Sequence, residues 1–299
     1  VGFAIALLEA GDPAAALAEA HTVLEFASAI GSPPVEWGGR LVAAEAHLAL
    51  GEQQAAVAAL ARALAIGSRQ GYVTPFPYWR PRAFAKLLAC AIDAGVALDY
   101  ARSLILRWKL QAPDSSVDAW PWPLRICALG AFEITIDEAP LTFNGKAQKR
   151  PLELLQALVA FGGVGVAEST LCDALWPDAE GDAARKSLEV ATHRLRKLLG
   201  HDRSILVRAG KLSLNRELVW VDCWSFERKL ERAQQAILED SADATILEEP
   251  LRAYRGPLLA YESDAAWVLA PRARLAERFR QYAEALAVHQ RAYASATGG

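Results

Sequence analysis

From Val1 to Ala112 the apolar positions recur at helical spacing in a stretch rich in alanine and leucine. The pattern breaks at Gly11-Asp12-Pro13, at Gly31-Ser32-Pro33-Pro34 and at Gly51-Glu52, which predicts helical hairpins, with Asp12 capping a helix whose first residue is Pro13. Tyr72 to Pro81 carries three prolines among aromatics and reads as a rigid loop. A second break runs from Pro113 to Pro123, and after it the period switches to alternation. Leu124 to Leu129 and Phe132 to Ile136 predict strands, with a third near Leu141 to Phe143, together a small antiparallel sheet. A helix is predicted from Ala147 to Phe161, with Pro151 tolerated in its first turn and Gly162-Gly163 ending it. A brief strand at Val164 to Val166 and a short helix from Glu168 to Leu175 follow. Asp182 is the expected cap of a longer helix that reaches Leu199. Ile205 to Arg208 and Lys211 to Leu214 alternate around Ala209-Gly210, as a hairpin does. Helices are predicted again from Cys223 to Leu238 and from Ala244 to Tyr254. A final long helix opens around Trp267 to Pro271 and carries Leu275, Phe279, Tyr282 and Leu286 on one stripe.

The fold class that follows is mainly α with a small α+β domain. Placing Gly11 on Gly51 aligns Ala15, Ala16, Leu17 and Ala18 with Ala55, Ala56, Val57 and Ala58, a repeat of period 40 whose small residues let paired helices approach closely. These helical-hairpin repeats resemble a tetratricopeptide-type array such as the helical region of MalT-like regulators; an ordinary alanine-rich bundle is the alternative.

Charge sharpens the picture at one place. The chain carries 32 basic and 35 acidic residues, so a uniformly basic nucleic-acid coat is excluded and any DNA contact must be local. Between Ala183 and Leu214, however, eight basic residues face two acidic ones, the footprint of a phosphate-binding surface. Within the helix ending at Leu199, Leu188, Ala191, Leu195 and Leu198 fall on one side. Lys186, Val190, His193, Arg194 and Lys197 fall on the other, flanked by Arg185 and Arg196, a width suited to a major groove. Arg208 and Lys211 lie near the tip of the hairpin.

Strands, three helices and a terminal hairpin in this order resemble the OmpR-type winged helix, in the form found in antibiotic-regulatory-protein-type bacterial activators. The resemblance rests on Leu129-Gly130-Ala131-Phe132, on Leu171 with Ala174-Leu175-Trp176, and on Leu188 with Leu195 through Leu199. It implies phosphate contacts from Trp176, Lys186, Ser187, His193 and Arg196, base contacts from Glu189, Val190 and Arg194, and a wing contact from Arg208. His193 stands where arginine is common in that family, and Leu212 where many relatives have tyrosine. Val221-Asp222, Phe226-Glu227, Tyr254 through Leu259, Trp267 and Arg272 through Leu275 resemble the bacterial transcriptional activator domain, a second helical repeat module. The expected domains are therefore helical repeats at 1–112, a linker at 113–123, a winged-helix DNA-binding domain at 124–221 and a truncated activator module at 222–299.

The expected function is a sequence-specific DNA-binding transcription regulator that is cytoplasmic and is not an enzyme. Its expected partners are double-stranded DNA, RNA polymerase or another protein on the helical repeats, and a second copy on DNA, with no membrane and no cofactor. Gly162-Gly163-Val164-Gly165 lacks the lysine and hydroxyl of a phosphate loop, and the five histidines are dispersed. Cys90, Cys127, Cys172 and Cys223 are scattered without metal-ligand spacing and read as buried reduced thiols. No apolar run is long enough to span a membrane, and a chain that opens at Val1 inside a helical pattern reads as lacking its natural start. The competing reading is a protein-binding scaffold whose winged helix no longer binds DNA.

Overall fold

The computed structural model describes residues 1–114, 117–142, 149–241, 243–262 and 265–297. It is mainly α with a small α+β region and divides into two compact units, Val1–Pro121 and Trp122–Gly299.

The first unit is a row of helices: α1 (Gly2–Glu9), α2 (Pro13–Ile30), α3 (Pro33–Ala49), α4 (Gln53–Gln70), α5 (Pro81–Asp93) and α6 (Leu98–Trp108). The Asp12 carboxylate accepts from Ala15 N–H at 2.9 Å while Pro13 occupies the first helical position, as the sequence predicts. Burial repeats with the sequence period: Ala16, Ala20, Val23 and Ala27 of α2 are buried, and so are Ala56, Leu60, Ala63 and Gly67 of α4. At Gly67 a Cβ would run into the Tyr100 hydroxyl, so a larger residue there would have to displace that ring. The loop before α5 is pinned rather than free. Buried Tyr78 donates to Glu45 Oε2 at 2.5 Å, and Arg80 NH1 reaches both oxygens of the same carboxylate at 2.6 and 2.7 Å. Burial and the Glu45 charge hold the Tyr78 phenol well above its usual range, so it stays a donor.

The second unit opens with β1 (Leu124–Cys127), β2 (Glu133–Ile136) and β3 (Ala139–Pro140). The third strand falls two residues earlier than Leu141; Phe143 and Ala147 lie outside the described residues. Next come α7 (Lys149–Ala160), β4 (Val166–Ala167), α8 (Glu168–Leu175), α9 (Gly181–Leu199), β5 (Ile205–Arg208), β6 (Lys211–Leu214) and β7 (Val219–Val221). The first sheet has the order β3-β2-β1-β7 and the second β4-β6-β5. The first is not purely antiparallel, because β7 runs parallel to β1 with Leu124 opposite Val219 and Ile126 opposite Val221. Helices α10 (Asp222–Leu238), α11 (Ala244–Ala253) and α12 (Ala266–Thr297) complete the unit.

One apolar core joins both sheets to all six of these helices, from Leu124 and Leu158 through Leu195 to Phe226, Tyr282 and Leu286. The junction between the early sheet and the late helices is polar and buried. Both oxygens of the Asp222 carboxylate accept from Ala128 N–H at 2.9 Å, one also from Leu129 N–H at 2.9 Å, and Arg255 approaches at 3.3 Å. The segment after α11 then runs against the residues that follow β1: Leu259 N–H donates to the Ala128 carbonyl at 2.8 Å, and Gly130 N–H to the Pro257 carbonyl at 3.0 Å. A Cβ on Gly256 would sit 3.2 Å from the Gly130 Cα, so two glycines are what let the strands meet. Arg272 of α12 clamps the same segment, donating to the Leu258 and Leu259 carbonyls at 2.7 and 2.8 Å. Next to this junction Cys223 is fully enclosed, and burial with the neighbouring Asp222 charge pushes its thiol well up. Cys90 is buried too, whereas Cys127 and Cys172 are only half-buried, a correction to the expectation of four enclosed thiols.

Candidate nucleic-acid interface

Helix α9 carries most of the predicted contacts. Ala184, Leu188, Ala191, Thr192, Leu195 and Leu199 are buried at intervals of three and four residues and seat it on α7 and α8. Thr192 would leave a buried hydroxyl unpaired, but it donates to the Leu188 carbonyl at 2.8 Å. Leu198, expected on the same side, is half-buried. Gly200 closes the helix in the left-handed conformation. The start differs from the expectation. The helix begins at Gly181 with Glu180 before it and no side-chain cap, and Asp182 is the second helical residue. Its carboxylate therefore complements the helix dipole rather than capping the end.

Lys186, Glu189, Val190, His193, Arg194 and Lys197 are all exposed. Val190 is 44% exposed and places a branched apolar side chain between Lys186 and Arg194, a chemistry suited to a thymine methyl. Beyond α9, β5 and β6 form a hairpin with Val207 opposite Leu212 and Arg208 opposite Lys211. Its turn residues Ala209 and Gly210 both have positive φ, 50° and 69°, the twist a two-residue hairpin needs. Leu212 is buried and pairs with Val166 of β4, so it anchors the hairpin base instead of reaching outward.

All the predicted residues but Lys197 fall into three neighbourhoods. Trp176, Lys186, Ser187, Val190 and Arg194 share an open cleft of about 490 Å³ between α7 and α9, and Arg150 of α7 completes its lining. Trp176 is half-buried there, and the Ser187 hydroxyl donates to the Ala183 carbonyl of its own helix at 2.9 Å. Arg185, Glu189, His193 and Arg196 line the opposite flank of α9, facing Val207 of the hairpin and Glu168 of α8. Arg208 and Lys211 stand apart at the hairpin tip, and Lys197 projects separately near the end of α9.

Two of these cations are already engaged. Arg196 is half-buried, and its Nε and NH2 donate to the Ile205 carbonyl at 3.1 and 2.7 Å, which braces α9 against the hairpin. Arg185 lies 3.7 Å from the Glu168 carboxylate. Sequence reasoning missed Arg150 and Glu168; the only local sign of the first was a Lys-Arg pair directly before Pro151. Among the described residues no group of acidic, histidine and cysteine side chains could hold a metal ion, and no helix is long and apolar enough to cross a membrane.

No family model matches the chain, and no curated protein matches it. Among solved structures, Mycobacterium tuberculosis EmbR in complex with a low affinity phosphopeptide is similar at 24% identity, with a TM-score of 0.49 over 59% of this chain and 48% of that one. The chain thus spans about half the length of that protein.

Proposed function

We propose that the second unit binds double-stranded DNA as an OmpR-type winged helix and that the chain is a transcription regulator of the antibiotic-regulatory-protein type. Helix α9 enters the major groove and the β5–β6 hairpin lies along the neighbouring minor groove. The observation that carries this reading is the division of α9 into a buried apolar seat and an outer face on which Lys186, Val190, Arg194 and Lys197 are all exposed. Arg194 offers its planar fork to guanine O6 and N7, while Lys186, Lys197 and Arg208 meet phosphates. Residues 124–221 form the DNA-reading domain and 222–299 a helical activator module. Residues 1–112 form a repeat array that senses a signal or engages RNA polymerase or another protein. Neither catalysis nor a cofactor enters this role, which belongs in the cytoplasm.

Selection of duplexes from a random pool, followed by anisotropy titration across salt, tests the reading. Neutralising about five phosphates predicts a log-log slope of affinity against salt near −4.5. No salt-dependent binding to any duplex would overturn it.

A further inference from the structure

The cleft between α7 and α9 has a wall with its own chemistry. Arg150 is the second residue of α7, its side chain is 58% exposed, and it lines the cleft together with Lys186 and Arg194. Its NH1 donates to Glu153 Oε2 at 2.7 Å and to the Leu175 carbonyl at 3.3 Å. Leu175 is the last residue of α8, where carbonyls without helical partners leave partial negative charge. Uncovered, that helix end would repel an anion approaching Trp176. A guanidinium bonded to it turns a repelling edge into an attracting one.

The bracing matters as much as the charge. Among the described residues every contact of Arg150 runs through NH1, so the Nε–NH2 edge stays available to donate two hydrogen bonds to a second partner. An arginine held at one end loses little further side-chain freedom when the other end binds. Its neighbour Lys149 is 79% exposed and comes no nearer than 3.9 Å to Glu153, so it lacks that preorganisation. Among the described residues no carboxylate lines the cleft, whereas Glu168 and Glu189 both line the opposite flank of α9.

We propose that Arg150 is a ligand for a backbone phosphodiester of the bound duplex, gripping it with the free guanidinium edge on the flank of α9 that faces α7. This rests on the DNA reading given above. Glu153 acts as the positioning residue: it holds the guanidinium in place and also repels the phosphate.

The full chain, a duplex it selects and a random duplex of the same length are titrated by anisotropy from 50 to 200 mM salt. Arg150→Ala is expected to weaken both duplexes alike and to make the salt slope shallower by about 0.9, so its deficit shrinks about 3.5-fold across that range. A methylphosphonate scan supplies the readout that a purely structural role would not move. Neutralising one particular phosphate should weaken the wild type and leave Arg150→Ala unchanged. Glu153→Gln keeps the proposal testable should Arg150→Ala lose its fold by circular dichroism; it is expected to tighten both duplexes. An Arg150→Ala protein that folds and binds with wild-type affinity and slope overturns this proposal alone, as does a Glu153→Gln protein with no gain. A wild type that binds no duplex overturns the DNA reading, and this proposal with it.

Discussion

The two flanks of α9 carry similar numbers of basic side chains and differ in how much of that charge is free. Facing α7, Arg150, Lys186 and Arg194 line a cleft without a carboxylate among the described residues. Facing the hairpin, Arg185 is drawn to Glu168, Arg196 is bonded to the Ile205 carbonyl, and Glu189 stands among them. A count of charges along the chain treats the flanks as equal, yet on the α7 side Arg150 alone of the three cations has a carboxylate partner among the described residues, Glu153, which leaves Lys186 and Arg194 to act on a phosphate. Local excess of one charge is a property of a surface, and partners from distant segments decide it.

The contrast can be broken outright by removing the seat both flanks share. Leu195 is fully buried, so Leu195→Ala should lower stability by about 2–5 kcal/mol in denaturant unfolding. Both flanks should lose DNA together; unchanged stability would mean that α9 is not held by this core. A smaller and more selective effect is expected from Arg194→Ala, about 1–3 kcal/mol at one base position in a panel of substituted duplexes. Lys197→Ala should instead weaken every duplex alike, and equal behaviour of the two variants would erase the division between base and phosphate contacts. The smallest effect sharpens the contrast instead. Glu168→Gln frees Arg185 and should tighten binding slightly, because an exposed pair such as this one contributes about 0–1 kcal/mol. Weaker binding after that change would show that Glu168 is needed to aim Arg185.

The periodic parts of this molecule were legible in its sequence. Helix α8 and strands β5 and β6 occupy the predicted residues, because each is short and bounded by turn or cap signals. The outer face of α9 was legible as well, since exposure follows directly from a 3.6-residue period once Leu188 and Leu195 point inward. What was missed depends on distant segments. No strand was predicted at Val219–Val221, which becomes β7 by pairing with the parallel edge of β1, almost a hundred residues earlier. Arg150 joined no predicted site because its place beside Trp176 arises from the packing of α7 on α8, which no local spacing encodes. Arg196 sits at an outward-flanking position by periodicity, yet the carbonyl of Ile205 captures it. The expected cap at Asp182 was displaced because Gly181 already takes helical geometry, which moves the boundary two residues upstream.

The buried Asp222 carboxylate, with the backbone N–H groups of Ala128 and Leu129 on one side and Arg255 on the other, ties the start of α10 to the opening sheet. Helix α12 is 32 residues long and so extends about 48 Å. Near its base Arg272 fixes it to the segment that follows α11. Under the proposed DNA reading, a force on that helix would reach α9 through the shared apolar core and this carboxylate together.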